Sequence, residues 1–188
     1  MPKDPVPVVL ADAEHELLAP AALDRPALDR VLASIHTHDV DFADLYFQHS
    51  RFESWSLEEG IVKSGTFSID RGVGVRAVTG ERQAYAYSDD VSQQALDEAA
   101  VAVRAIGRQG QSTVAPLTRA GGTRALYPLG DPVGSLDDAS KVGVLHRLER
   151  MARNADPRVV QAMASRAGGH EAVVLARSAG PIVADARP

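Results

Sequence analysis

The sequence predicts an α+β fold: a helix, an antiparallel β-meander and a packing helix, followed by a linker and a second helix-plus-strands segment that looks truncated. Three observations predict it. Leu28, Val31, Leu32 and Ile35 recur at i, i+3, i+4 and i+7, the spacing of one helix face. From Phe42 to Ser88 the apolar period changes to two, the signature of half-buried strands. At Val91, Ala95, Ala99, Val103 and Ile106 helical spacing returns. With 188 residues, 45% hydrophobic and 24% charged, the chain fits a globular protein of one or two domains. A chain of that length removes roughly 70% of its unfolded surface from water without the help of disulfides or metals. It has no cysteine, which excludes disulfides, Cys-ligated zinc, iron–sulfur clusters and thiol nucleophiles. Its net charge of -5, with no basic stripe, gives little attraction to phosphates, so no nucleic-acid partner is expected. No segment approaches the run of 18 apolar residues that would span a bilayer, so no membrane partner and a cytoplasmic location are expected.

Each element has its own signal. Five of the eleven prolines fall in the first 26 residues, so 1–23 reads as a flexible N-terminal arm with at most a short helix around Glu14–Ala19. Asp24 as cap and Pro26 in the first turn open a helix over 25–37, the start of an α+β domain spanning 24–106. The meander pairs Leu45 with Phe47, Trp55 with Leu57, Phe67 with Ile69, Val73 with Val75 and Tyr85 with Tyr87 at one parity. Turns are expected at Glu59-Gly60, Ser64-Gly65, Arg71-Gly72 and Thr79-Gly80-Glu81. Eight of the nine aromatic residues lie between Phe42 and Tyr87, so this sheet is expected to hold most of the core. Six glycines and three prolines mark 107–135 as a linker or long loop. The segment 136–188 follows, with a helix at 137–154 capped by Ser135 and carrying Leu145, Leu148 and Ala152. Extended stretches are expected at 158–165, 171–176 and 182–186.

No motif in the chain carries chemistry by itself. Gly72-Val-Gly74 opens like a dinucleotide fingerprint, but Ala77 stands at the third glycine position and no helix follows. His36 and His38 diverge on a helix, where a spacing of two places side chains roughly 200° apart, so a solvated helix end is the simpler reading. His170-Glu171 opens like a zinc-protease helix, yet Val174 and Leu175 stand where a second histidine is needed, and the β-branched surroundings favour a strand. The pairs Glu58-Glu59 and Asp89-Asp90 lie at turns. Asp70 and Arg76 beside the glycine-rich strand suit either an ion pair, the favoured reading, or a ligand contact.

Three segments carry a resemblance: Asp41-Phe-Ala-Asp-Leu-Tyr-Phe-Gln48, Glu53-Ser-Trp-Ser-Leu-Glu58 and Ile69-Asp-Arg-Gly-Val-Gly-Val-Arg-Ala77. With Ala84-Tyr-Ala-Tyr-Ser88 and Val183-Ala-Asp-Ala-Arg-Pro188, they resemble the N-terminal portion of the TldD/PmbA metalloprotease family, its TldD branch above all. The resemblance covers about Leu28 to Pro188 and is most specific over 41–88. It implies a cytosolic zinc-dependent peptidase, a heterodimer of TldD-like and PmbA-like subunits that degrades or matures unfolded or short peptides, with DNA gyrase modulation as an older family label. The family's metal motif, H-E-x-x-x-H, lies C-terminal to the matched region. His170-Glu171 has Leu175 at its sixth place, so no catalytic or metal residue carries over onto this chain. Zinc is thus implied for the complete family enzyme, with no cofactor expected on this chain. What the resemblance leaves to these residues is the substrate-cavity wall and a contact with a PmbA-like subunit. Peptide-contact candidates are Tyr46, Phe47, Trp55, Asp70, Arg76 and Tyr85, with Tyr87 beside them, although a core role is the favoured reading for most of the rings. A stand-alone, non-enzymatic module that binds protein or peptide is the alternative.

Overall fold

A computed structural model describes residues 6–109, 118–119, 127 and 131–188. Its elements are α1 (Val6–Leu17), a 3-10 turn (Ala19–Ala21), α2 (Arg25–Ile35), β1 (His38–Asp39), β2 (Phe42–Glu58), β3 (Ile61–Thr79), β4 (Arg82–Ser88), α3 (Gln93–Arg104), β5 (Arg108–Gln109), β6 (Thr118–Arg119), α4 (Asp138–Ala155), β7 (Met163–Arg177) and β8 (Pro181–Arg187). Among the described residues, six strands form one sheet in the order β4-β3-β2-β7-β8-β6, and β1 pairs with β5. The fold is α+β. The expected meander is present as β2-β3-β4, with β4 antiparallel to β3 from Val73↔Ser88 to Thr79↔Arg82. The strands of the second segment are not separate: β7 lies beside β2 in the same sheet.

Two compact units share the chain. Unit 1 comprises Met1–His49, Asp70–Pro128 and Ala172–Arg187, and unit 2 comprises Ser50–Ile69 and Leu129–Glu171 with Pro188. The chain passes between them within β2, β3 and β7, whereas the sequence placed a boundary at a linker over 107–135. Of that stretch, 110–117, 120–126 and 128–130 lie outside the described residues, as do 1–5 of the expected arm.

In unit 1 local signals and packing agree. Asp24 Oδ1 accepts from the Ala27 amide at 2.8 Å and caps α2, whose Ala27, Leu28, Val31, Leu32 and Ile35 are buried. Ser92 caps α3 through the Ala95 amide at 3.2 Å, and Leu96, Ala99, Ala100 and Val103 face inward. Inward-facing Ala43, Leu45 and Phe47 of β2, Val73, Val75 and Ala77 of β3, and Ala172, Val174 and Ala176 of β7 complete one apolar cluster. The expectation of a flexible arm is corrected here. Over 6–17 the arm is α1, with Leu10, Ala13 and Leu17 buried in that cluster. Prolines suggested a breaker, but Pro7 falls in the first helical turn, where no amide donor is needed. Glu14 accepts from Arg25 Nε at 3.0 Å and Nη2 at 2.7 Å, and Glu16 meets His49 Nδ1 at 2.7 Å.

Unit 2 departs further from expectation. Ser64-Gly65 of unit 2, like Arg71-Gly72 of unit 1, is not a turn, since β3 runs unbroken from Ile61 to Thr79, and β7 likewise fuses two expected stretches through Gly168-Gly169. Glycine in a strand leaves room for a neighbour's ring as readily as it makes a turn. The turn at Glu59-Gly60 is present, with φ of 51° and 72°, a conformation glycine enters without penalty. Its Gly60 amide donates to Glu149 Oε1 of α4 at 2.9 Å. Asp137, not Ser135, caps α4, accepting from the Ser140 amide at 2.7 Å. The buried face of α4 is Lys141, Leu145 and Glu149, while Leu148 is exposed.

Candidate functional site

The aromatic residues do not build the core. Of the eight between Phe42 and Tyr87, Phe47 is fully buried, whereas Tyr46, Phe52, Phe67, Tyr85 and Tyr87 are exposed. Phe47 shares the parity of Leu45, and side chains one position apart point to opposite faces of a strand. It is therefore a core residue with no surface for a peptide, which corrects its place among the contact candidates. Around Phe47 the core of unit 1 is aliphatic, and Phe42, Tyr46, Tyr85 and Tyr87 lie on the other face of its strands.

That open face of unit 1 carries Phe42, Asp44 and Tyr46 of β2, Gly72, Gly74 and Arg76 of β3, and Tyr85 and Tyr87 of β4. Register sets Tyr85 opposite Arg76 and Tyr87 opposite Gly74. Both rings lie across glycines: a Cβ at Gly74 would collide with Tyr85 Oη, and one at Gly72 would come within 2.5 Å of Tyr87 Oη. The tyrosines are nonetheless 64% and 62% exposed, so ring surface faces outward. Arg76 donates to Asp44 Oδ2 through Nε at 3.0 Å and through Nη2, and its guanidinium carbon stands 5.7 Å from the Phe42 ring centroid. Asp44 is buried beneath this cover. The expected ion pair of Arg76 thus joins Asp44, thirty-two positions away, while Asp70 is exposed on β3.

Unit 2 holds Trp55, which lines a cavity of about 640 Å³ together with Arg51, Glu53, Gly65, Phe67 and Lys141. Gly65 permits the indole to lie on β3, since a Cβ there would stand 3.0 Å from the ring. At the back, Lys141 Nζ donates to Glu53 Oε2 at 2.6 Å and Arg166 donates to Glu53 Oε1. Burial opposes the charge on Glu53, but the hydrogen bonds and charges of Lys141 and Arg166 outweigh it and hold its carboxyl below the usual carboxylate range. Arg51 pairs with Asp131 at 2.9 Å and approaches His170 Nδ1 at 3.3 Å.

These residues do not fit a zinc site. His170 and Glu171 are successive in β7 and face opposite ways. His36 is buried at the end of α2, where desolvation pushes its imidazole below the usual histidine range against the Val40 backbone bond and the Asp41 charge. His38 lies in β1. Among the described residues no three metal-ligating side chains converge. Nor is any described helix long and apolar enough to cross a membrane.

Residues 43–110 match the PmbA/TldA metallopeptidase domain 1. The chain is 38% identical over 182 residues to the metalloprotease TldD homolog of Haemophilus influenzae, covering 96% of this chain and 38% of that protein. This is a chain of the TldD/PmbA family. A TldD homolog of Buchnera aphidicola from Schizaphis graminum is 35% identical over 153 residues, covering 81% of this chain and 32% of that protein. The chain thus spans about a third of the length of the curated TldD relatives it matches. Two solved structures share the family fold. One is a candidate modulator of a DNA gyrase from Thermotoga maritima, with a TM-score of 0.65 at 15% identity over 86% of this chain and 36% of that one. The other is TldE from Thermococcus kodakarensis, at 0.58 and 17% over 85% of this chain and 37% of that one. The family domain begins at residue 43 and so includes the strands that build the open face.

Proposed function

We propose that this chain is the non-catalytic N-terminal part of a TldD-like, zinc-dependent peptidase, and that the open aromatic face of unit 1 forms wall against which an extended peptide, or a PmbA-like subunit, is held. The single observation that carries this reading is the inversion of the sheet. In unit 1 Phe42, Tyr46, Tyr85 and Tyr87 lie on its uncovered face, while aliphatic side chains and Phe47 fill the covered one. Exposed tyrosines flattened on glycines offer broad, rigid contact area with few torsions to freeze, the property that enriches tyrosine at interfaces. The metal-holding atoms lie outside the described residues on this reading, so this chain's part is to bind and orient polypeptide. Zinc in the complete enzyme would polarise the peptide carbonyl and activate water.

Two experiments test it. The purified chain is expected to hold no stoichiometric zinc and to leave unstructured peptides intact; cleavage by the chain alone that a chelator abolishes would overturn the proposal. Binding of a labelled unstructured decapeptide, followed by fluorescence anisotropy, is expected to weaken about ten-fold in the Tyr85→Ser/Tyr87→Ser double variant, the scale of about 1.4 kcal/mol for two rim rings. Unchanged anisotropy would remove the open face from the binding reading. Light scattering of the chain mixed with a PmbA-like subunit tests the assembly arm, where persistently separate masses count against it.

A further inference from the structure

The open face contains a row of side chains running across four strands. Tyr85 of β4 stands opposite Arg76 of β3, and Arg76 holds Asp44 of β2. On the far side of β2, the Ser178 amide donates to the Ala43 carbonyl at 2.8 Å and Ser178 Oγ accepts from the Ala43 amide at 3.0 Å. That pairing places residue 177 beside residue 44 in the ladder. Ala176 is buried in the core, so Arg177 belongs to the open face. The row therefore reads Tyr85, Arg76, Asp44, Arg177.

Its charges do not balance. Arg76 engages the Asp44 carboxylate through two donors on one oxygen. The Arg177 side chain has no hydrogen bond or ion pair among the described residues, and its Nε is buried without an acceptor. A guanidinium presents a planar fork of donors that matches a carboxylate, and a buried donor left unmade costs more than a bond lost to water. The row lacks one carboxylate.

We infer that Arg177 receives the side-chain carboxylate of an extended polypeptide laid across the open face, which gives the bound segment an acidic residue. This rests on the reading that the face binds polypeptide. Neighbouring strands stand about 4.8 Å apart, so Tyr85 and Arg177 are roughly 14 Å apart along the row, and side chains four residues apart in an extended chain, on one face, are separated by about the same distance. The favoured segment thus carries an aromatic or apolar residue over Tyr85 and Asp or Glu four positions away over Arg177.

The test uses decapeptides acetylated and amidated at their ends, so that only side chains supply charge. One has a phenylalanine at its third position and a glutamate at its seventh, a second has glutamine in place of that glutamate, and a third moves the glutamate by one position, onto the opposite face. Anisotropy with the full chain is expected to show the first binding about ten-fold tighter than the other two, the low end for one charge-assisted pair. Arg177→Gln is expected to erase that preference, Arg177→Lys to retain part of it, and Arg158→Gln, on an exposed surface pair, to leave it unchanged. Equal binding of all three peptides would overturn the acidic anchor while leaving the docking face standing. Binding of none would overturn both.

Discussion

Units 1 and 2 solve the same problem with different material. Unit 1 closes an aliphatic cluster drawn from three helices and four strands. Unit 2 buries Leu57, Val133, Leu145 and Ala162, but beside them it buries Glu53, Lys141 and Glu149. Every residue of β3 from 61 to 69 is exposed there. The comparison teaches where the sensitivity of each unit lies. Apolar packing yields to a cavity; an ion network tolerates neither the loss of a partner nor the loss of its charge.

The largest expected effect sharpens that contrast in unit 1. Phe47→Ala should cost about 3–5 kcal/mol, because the ring leaves a void among side chains that cannot all collapse into it. Urea unfolding measures it, and a loss below about 1 kcal/mol would break the assignment of Phe47 to the core. In unit 2, Lys141→Ala should cost about 3 kcal/mol by leaving Glu53 with Arg166 alone in a buried site. A Glu53→Leu/Lys141→Met/Arg166→Met triple variant, which also removes the second partner of Glu53, should recover much of that loss. Failure of the triple variant to recover would mean that packing, and not charge, dominates there.

Acid separates the units next. His36 has a lowered affinity for protons when folded, so unit 1 loses stability as pH falls below 6.5, where the unfolded histidine takes up a proton that the folded site resists. Glu53 is also lowered, so its contribution is present above 4.5 and is lost as pH falls below that value. Urea midpoints at pH 7.5, 5.5 and 3.5 should therefore drop in two stages, the first abolished in a His36→Gln variant and the second made smaller in the Glu53→Leu/Lys141→Met/Arg166→Met variant, where the lowered carboxyls of Asp131, Asp137 and Asp156 still contribute. The smallest effect concerns two glycines of the open face. At Gly72 a Cβ would stand 2.7 Å from the Ser88 carbonyl oxygen, a backbone atom that cannot move aside, so Gly72→Ala should cost about 1–3 kcal/mol. At Gly74 the obstacle is the outer part of the exposed Tyr85 ring, so Gly74→Ala should cost less than about 1 kcal/mol while displacing that ring. Equal losses at both sites would contradict the distinction.

Much of this architecture is legible in the sequence where local chemistry decides. Asp24 caps α2 with its own side chain, and the spacing of Leu28 to Ile35 needs no distant partner to be read. Legibility fails where the deciding contact is remote. Gly65 and Gly72 read as turns because the rings that occupy their missing Cβ space, Trp55 and Tyr87, lie on neighbouring strands. Pro7 reads as a breaker until it is placed in a first turn whose later residues, Leu10 and Leu17, are buried by the rest of unit 1. Nothing in the sequence marks Lys141 and Glu149 as buried, since their partners Glu53 and the Gly60 amide lie about ninety positions away. Of the contact candidates, Tyr46, Arg76 and Tyr85 come together on the open face, Trp55 stands apart in unit 2, and Phe47 turns inward. Strand parity around Leu45 could have identified Phe47; nothing in the sequence signals Arg177.

Trp55 is the sole tryptophan of the chain, and it belongs to unit 2. Excitation at the red edge of protein absorption therefore illuminates one unit and leaves the other dark. Its emission follows the melting of that unit by itself, while circular dichroism follows both, so any interval between the two transition curves is a direct optical reading of how independently the halves unfold.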